Sequence, residues 1–305
     1  MSNATFRKVA LVGFGEVGTI LAEDLAAQGV TVSAWDLKLR VDPQGAAVQR
    51  MVADARRLGV TLCDDPAAAL AGVDLAICVV TASQTEAAAQ ECAPLLPQGA
   101  FYMDCNSASP GAKTACAGMV HAAHGRYVES AVMTSVPPYR IKTPMLLGGP
   151  WAAEILLPLS ALGFDVKVAS EDFGVASATK MCRSIMIKGL EAMVIESFTA
   201  ARAYGVEDAV VQSLIHTFPG IDWEKQGSYF FHRVLLHGRR RAEEMREVAR
   251  TVREVGLDPF SAQASADRDD WMADMAHEHG LHVKYKDVSD WRAVSDDLLA
   301  ALTKK

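Results

Sequence analysis

The first apolar run of the chain, Val9 to Val12, is too short for a helix and long enough for a buried strand. A helical pattern follows at once, with Val17, Ile20, Leu21, Leu25 and Ala26 predicted on one face and Gly29 as its stop. A second strand is predicted over Thr31 to Asp36, with clear further ones over Asp74 to Val80 and Ala100 to Cys105. Helical periodicity fills the intervals near 45–58, 83–93 and 108–123. Such alternation implies crossover units and a mainly parallel, doubly wound sheet. The stretches PMLLGG and FDVKVA predict two more strands around a helix that begins near Pro150. Beyond Ser170 the pattern changes. No signal strong enough to end a helix occurs between Gly174 and Tyr204, and the rest is helical pattern broken at FPGID and VGLDP. The expected organisation is therefore an α/β domain over 1–170 and an all-helical domain over 171–305, with no repeat of fixed period and no low-complexity tract.

The turn after the first strand carries chemistry. Gly13, Gly15 and Gly18 stand as G-x-G-x-x-G between a strand and a helix. The first glycine permits a tight turn, the second lets backbone approach a pyrophosphate, and the third lets helix and strand pack closely. The helix N-terminus then offers N–H groups and a positive dipole end to phosphate. Asp36, at the end of the second strand, has the spacing of a carboxylate that hydrogen-bonds a ribose 2′-hydroxyl. The pattern reads as a Rossmann-type dinucleotide domain. Its expected cofactor contacts are Gly13, Phe14, Gly15, Glu16, Val17, Gly18, Asp36, Val80, Thr81 and Ser107. Asp36 favours NAD, because a carboxylate repels a 2′-phosphate, while Lys38 and Arg40 nearby keep NADP open.

Composition narrows the partners. A formal net charge of −7 argues against nucleic acid or an anionic membrane as the main partner. No apolar stretch approaches the roughly 20 residues needed to cross a bilayer, and the N-terminus lacks the apolar core of a signal peptide, so a cytoplasmic location is expected. The six cysteines form no C-x-x-C pair and read as small apolar fillers of a reduced protein. His277, His279 and His282 do not form H-E-x-x-H, and no metal site is expected from them.

Four motifs in order then carry a resemblance: the glycine fingerprint, MDCNSASP (Met103 to Pro110), YVESAVM (Tyr127 to Met133) and FGVASATKMCRS (Phe173 to Ser184). Over about the first 200 residues the chain resembles the β-hydroxyacid dehydrogenases and their 6-phosphogluconate dehydrogenase relatives. Its C-terminal part, with HGRRRAEEM (His237 to Met245), resembles the helical domain of a separate branch of that superfamily. The resemblance implies that Lys180, six residues after Gly174, is the catalytic lysine, and that Ser107 meets both cofactor and substrate. It implies a substrate loop at Met133 and Thr134, where the family has Ser-Gly, with Ser135 next to them, and substrate contacts from Arg183 and Ser184, where it has two asparagines.

The chemistry follows from the residue types. Oxidising an alcohol by hydride transfer needs a base for the hydroxyl proton, and reduction needs its conjugate acid. Lys180 serves if its surroundings lower its pKa toward neutrality. Lys180, Ser184, Ile187, Lys188 and Glu191 fall on one face by helical spacing. Arg183, Lys188 or one of Arg239, Arg240 and Arg241 would recognise an anionic substrate group, and Arg240 is the member of that run assigned to the site. Ile187 occupies the position at which the decarboxylating branch has a proton-donating glutamate, so the expected reaction is non-decarboxylating. Three readings stay open: an NAD(P)-dependent dehydrogenase of a small hydroxy or oxo acid, an imine reductase of the same architecture, and a dinucleotide-binding sensor without turnover. A homodimer is expected, since helical second domains of this superfamily commonly pair.

Overall fold

The computed structural model describes residues 6–287 and 290–303. Its first part is an eight-stranded sheet in the order β3-β2-β1-β4-β5-β6-β7-β8. The strands are β1 (Lys8–Val12), β2 (Thr31–Trp35), β3 (Thr61–Leu62), β4 (Leu75–Cys78), β5 (Phe101–Asp104), β6 (Arg126–Val132), β7 (Met145–Gly148) and β8 (Val166–Ser170). All neighbours pair in parallel except β6 and β7. The longer helices beside it are α1 (Glu16–Ala26), α2 (Ala46–Leu58), α3 (Thr85–Cys92), α4 (Pro110–Ala122) and α5 (Ala152–Ala161). The α/β reading of the sequence holds. The motif stretch Tyr127 to Met133, to which the apolar pattern assigns no element, is mostly the strand β6.

Continuous apolar runs form these strands because both sheet faces are covered. Val9 and Leu11 of β1 enter one cluster with Val32, Ile77 and Met103, whereas Ala10 and Val12 enter the other with Ala76, Cys78 and Tyr102. On α1 the buried face is Gly18, Leu21, Ala22 and Leu25. Val17, Ile20 and Ala26, expected there, are only half-buried. The face is rotated because the backbone at Gly18 packs directly on the glycine turn, where an added Cβ would stand 2.2 Å from the Gly13 carbonyl oxygen.

The helical part comprises α6 (Val175–Tyr204), α7 (Glu207–Thr217), α8 (Trp223–Glu254), α9 (Phe260–Glu278) and α10 (Trp291–Leu302). Its core gathers Ile195, Phe198, Phe231, Val234, Met272 and Trp291. The chain divides into two compact units, Met1–Met181 and Cys182–Lys305. That division falls inside α6 rather than near 170, because the first turns of α6 are held by hydrogen bonds to β6 and its later turns carry Ile195 and Phe198 into the helical core. None of the described helices is long and apolar enough to cross a membrane.

Candidate functional site

The strand register sets the first unit's site. Val12 pairs with both Trp35 and Cys78, Cys78 with Asp104, and Asp104 with Glu129. The segments that leave these strands therefore start at one level, along the C-terminal edge of the sheet. They carry the glycine loop, Asp36, Val80 with Thr81, and Ser107. Strand order also reverses there, β1 continuing to β2 on one side and β4 on the other, which is where open α/β sheets bind ligands.

The glycine loop fits a pyrophosphate. Gly13 has φ +99°, and a Cβ on it would lie 2.7 Å from the Val79 carbonyl oxygen. A Cβ on Gly15, by contrast, would meet nothing within 4 Å, so the backbone there faces open space. Gly15 is also the N-cap of α1, and no side chain caps that end. First-turn N–H groups without intrahelical partners are suited to phosphate oxygens. Glu16 is exposed and Val17 half-buried on this turn, while Phe14 is buried.

Asp36 is fixed by backbone. Its Oδ2 accepts from Phe14 N at 2.9 Å and its Oδ1 from Lys38 N at 3.0 Å. Arg40 is committed elsewhere, with Nη1 2.6 Å and Nη2 3.2 Å from the two carboxylate oxygens of Glu91. Val80 is half-buried against the glycine turn, and Thr81 is exposed with its Oγ1 3.3 Å from Ser83 Oγ.

Lys180 Nζ donates to Ser107 Oγ at 2.6 Å. This joins two residues to which the resemblance assigns roles, one after β5 and one on the second turn of α6. Both are held by buried charge. Beneath Ser107, Asp104 and Lys113 form an ion pair at 2.9 Å with each side chain 1% exposed. Lys113 Nζ also donates to the Asp104 carbonyl, Tyr127 Oη donates to Asp104 Oδ2 at 2.8 Å, and Asn106 N donates to Oδ1 at 2.9 Å. Burial pushes the neighbouring Cys78 thiol up to about 11, so that cysteine is an inert filler.

The start of α6 is held by Glu129, which is fully buried. Its carboxylate accepts from Gly174 N and Ala176 N at 2.8 Å each, and from Ser177 N at 3.2 Å. A carboxylate at a helix N-terminus satisfies orphan donors and complements the dipole. Gly148 makes room for it, since a Cβ there would lie 2.6 Å from Glu129 Oε1. Of the proposed substrate loop, Met133 and Ser135 are half-buried and Thr134 is exposed, just beyond β6.

In the helical unit, Arg183 is exposed and Ser184 buried. Lys188 Nζ lies 3.3 Å from Ser184 Oγ and 2.9 Å from Glu244 Oε2. Ser184, Lys188 and Glu191 are buried together, but Ile187 is 42% exposed and so leaves the face on which helical spacing placed it. Four residues span 400°, and the buried stripe follows 184, 188 and 191 instead. Among the three arginines, Arg241 is the buried one and pairs with Glu191, whereas Arg239 and Arg240 are exposed, Arg240 Nη1 standing 3.1 Å from Glu244 Oε1. No group of His, Cys, Asp and Glu side chains suited to a metal occurs among the described residues.

Sequence reasoning missed Glu129, Asp104 and Lys113. For the first, a signal was present: a carboxylate inside a strand apolar on both faces requires buried partners.

Comparison with known proteins bears on this geometry. Residues 8–153 match the NAD binding domain of 6-phosphogluconate dehydrogenase, and residues 201–272 match a domain of unknown function (DUF1932). A conserved hypothetical protein from Sinorhizobium meliloti 1021 is 35% identical, each chain covered over 97%, with a TM-score of 0.73. The conserved protein MTH1747, described as structurally similar to 3-hydroxyacid dehydrogenases, is 29% identical over 88% of this chain and 97% of its own, with a TM-score of 0.67. The fold alone is shared with a Mycobacterium tuberculosis 3-hydroxyisobutyrate dehydrogenase solved with L-serine, 15% identical over 97% of this chain and 99% of its own, TM-score 0.67. An imine reductase from Myxococcus stipitatus in complex with NADP+ shares it too, 18% identical over 96% of this chain and 99% of its own, TM-score 0.53. With an NAD(P)-type glycine loop at the strand ends and both family matches in sequence order, the chain belongs to the 6-phosphogluconate dehydrogenase-like NAD-binding superfamily, in the branch that carries the DUF1932 helical domain.

Proposed function

We propose that this protein is an NAD(P)-dependent oxidoreductase that moves a hydride between the nicotinamide cofactor and a small hydroxy or oxo acid, with Lys180 as general acid and base. The observation that carries the reading is the 2.6 Å contact of Lys180 Nζ with Ser107 Oγ at the C-terminal edge of a sheet that also holds the glycine loop. The bound nicotinamide supplies the hydride acceptor in oxidation and the donor in reduction. Lys180 in its neutral form takes the hydroxyl proton as the C–H bond breaks, and in reduction its ammonium form returns a proton to the carbonyl oxygen. Ser107 orients the amine, and Glu129 fixes the helix turn that presents it.

The reaction leaves carbon dioxide in place. Ile187 has no proton to donate, and Glu191, the next carboxylate along α6, is buried in its pair with Arg241. A panel of hydroxy acids followed by NADH absorbance, with NAD and NADP in parallel, tests the reading. Turnover lost in Lys180→Ala supports it. Stoichiometric carbon dioxide release with each NADH formed contradicts the non-decarboxylating part. The shared fold of imine reductases keeps one second reading, and reduction that depends on an added amine would favour it. Tight dinucleotide binding with no lysine-dependent turnover on any substrate would leave a sensor instead. The same reading includes an anionic substrate, a cytoplasmic location, where six free cysteines stay reduced, and a homodimer formed through the helical unit.

A further inference from the structure

The helical unit has a concavity of its own. Within α8 the backbone leaves helical geometry at His237, with φ −129° and ψ 15°, although no proline stands in this helix. Next to the break, Gly238 is pressed on α9: an added Cβ would lie 2.6 Å from the Asp269 carbonyl oxygen and 3.0 Å from Ala273 Cβ. A cavity of about 540 Å³ opens beside this contact. Its floor is apolar, from Leu235, Leu236, Ala273 and Ala276, and its remaining wall consists of His237, Arg239, Arg240, His277 and His282 with the Gly238 backbone. Five basic side chains thus share one hollow in a chain of net charge −7, and no carboxylate is among the described residues that line it.

The acidic groups around this hollow are already shared. Asp270 and Asp274 both engage Arg239, whose side chain is 61% exposed. Glu244 stands 3.1 Å from Arg240 and also 2.9 Å from Lys188, so one carboxylate serves two cations. The Arg240 side chain is 50% exposed, and water screens the interactions of so open a guanidinium, so it exchanges partners at little cost. On the α9 side, the His277 and His282 rings lie 5.5 Å apart. His282 Nδ1 is 2.8 Å from the Ala276 carbonyl oxygen, which keeps the proton on Nδ1 and leaves Nε2 to gain one only when the ring becomes cationic. Two imidazolium rings this close repel unless an anion lies between or beside them.

We propose that this hollow is a binding site for a small ligand bearing a phosphate or carboxylate group, with Arg240, His277 and His282 as its cationic contacts. Apolar Leu235, Leu236, Ala273 and Ala276 receive the rest of the ligand. Because a bound anion stabilises an imidazolium over the neutral ring, affinity rises as pH falls.

Sulfate and benzoate are suitable probes, since each keeps its charge between pH 6 and 8. In the intact protein at constant ionic strength, the Cε1–H signals of His277 and His282 are followed by NMR as each probe is added against sodium chloride. Saturable shifts are expected with at least one probe, binding at least fivefold tighter at pH 6 than at pH 8 and weakened at least fivefold in Arg240→Gln. Saturation by sulfate alone identifies a phosphate-type ligand, and by benzoate alone a carboxylate. The His282→Gln variant should lose the pH dependence. Should it fail to fold after losing its bond to Ala276, His277→Gln carries the same test. Shifts that never saturate, that chloride reproduces, or that persist unchanged in Arg240→Gln and His277→Gln overturn the site.

Discussion

At the scale of single residues, the contact between Lys180 and Ser107 makes the sharpest demand. If Lys180 handles the proton, Lys180→Ala should reduce turnover by about 10²–10⁴-fold while dinucleotide affinity, read by calorimetric titration, stays within twofold. Glu129 acts one step behind it. In Glu129→Gln one carboxylate oxygen becomes an amide nitrogen that cannot accept, so either the Gly174 N–H or the Ala176 and Ser177 N–H groups lose their acceptor. A loss of roughly 1–3 kcal/mol in urea unfolding is expected, since buried donors are left unpaired. The proposed preference for NAD rests on Asp36, whose oxygens are held by two backbone N–H groups while Arg40 is tied to Glu91. NAD should therefore exceed NADP in catalytic efficiency, and Asp36→Ser should narrow or invert the ratio. A tenfold NADP advantage in the unaltered protein would refute this assignment.

Elements were legible in the sequence wherever their pattern had one cause. The runs Val9 to Val12 and Asp74 to Val80 became β1 and β4 because buried parallel strands are apolar on both faces. α6 was legible as one helix because no proline stands in it and its interior glycine, Gly189, is too weak a signal to end it. β6 was harder to see, since Glu129 and Ser130 break its apolar run, and only their buried partners explain them. The stripe of Ser184, Lys188 and Glu191 was half visible: helical spacing also admits Ile187, and only packing chose between the two stripes. The pair of Asp104 and Lys113 lies nine residues apart across a strand and a helix, a distance that periodicity does not span. Removing one partner leaves an uncompensated buried charge, so Lys113→Met should cost about 3–5 kcal/mol in thermal or urea unfolding. The double variant Asp104→Asn with Lys113→Met should recover part of it.

For the molecule as a whole, one buried carboxylate sets a pH dependence. Asp269 is fully buried with neither oxygen hydrogen-bonded among the described groups, and burial pushes its pKa up to about 7, against the opposing pull of Arg241 and Lys188. Folding therefore holds a proton that the unfolded chain, titrating near 4, has released. Stability attributable to this group is greatest below about pH 4 and is lost as pH rises toward 7, by an order of about 4 kcal/mol in all. Asp269→Asn should gain on the parent protein between pH 5 and pH 8 in unfolding midpoints, and a difference independent of pH would disprove the account. The proposed homodimer is a separate matter. Met186 and Met193 are 72% and 62% exposed along α6, and sedimentation at working concentration should give two chains per particle. One chain per particle would end that proposal.

Because α6 starts in one unit and finishes in the other, the two halves of this chain are not interchangeable modules. A fragment that stopped at Ser170 would keep every strand yet strip Glu129 of Gly174, Ala176 and Ser177, stranding a bare anion in the interior. A fragment that began at Cys182 would expose a raw helix end where none exists in the whole chain. Exchange of helical domains between relatives, by recombination or in the laboratory, thus tolerates no seam at the boundary that the pattern of apolar residues first suggests. The seam that keeps Glu129 satisfied lies beyond Ser177, so Lys180 is inherited with the helix that its own sheet has learned to hold.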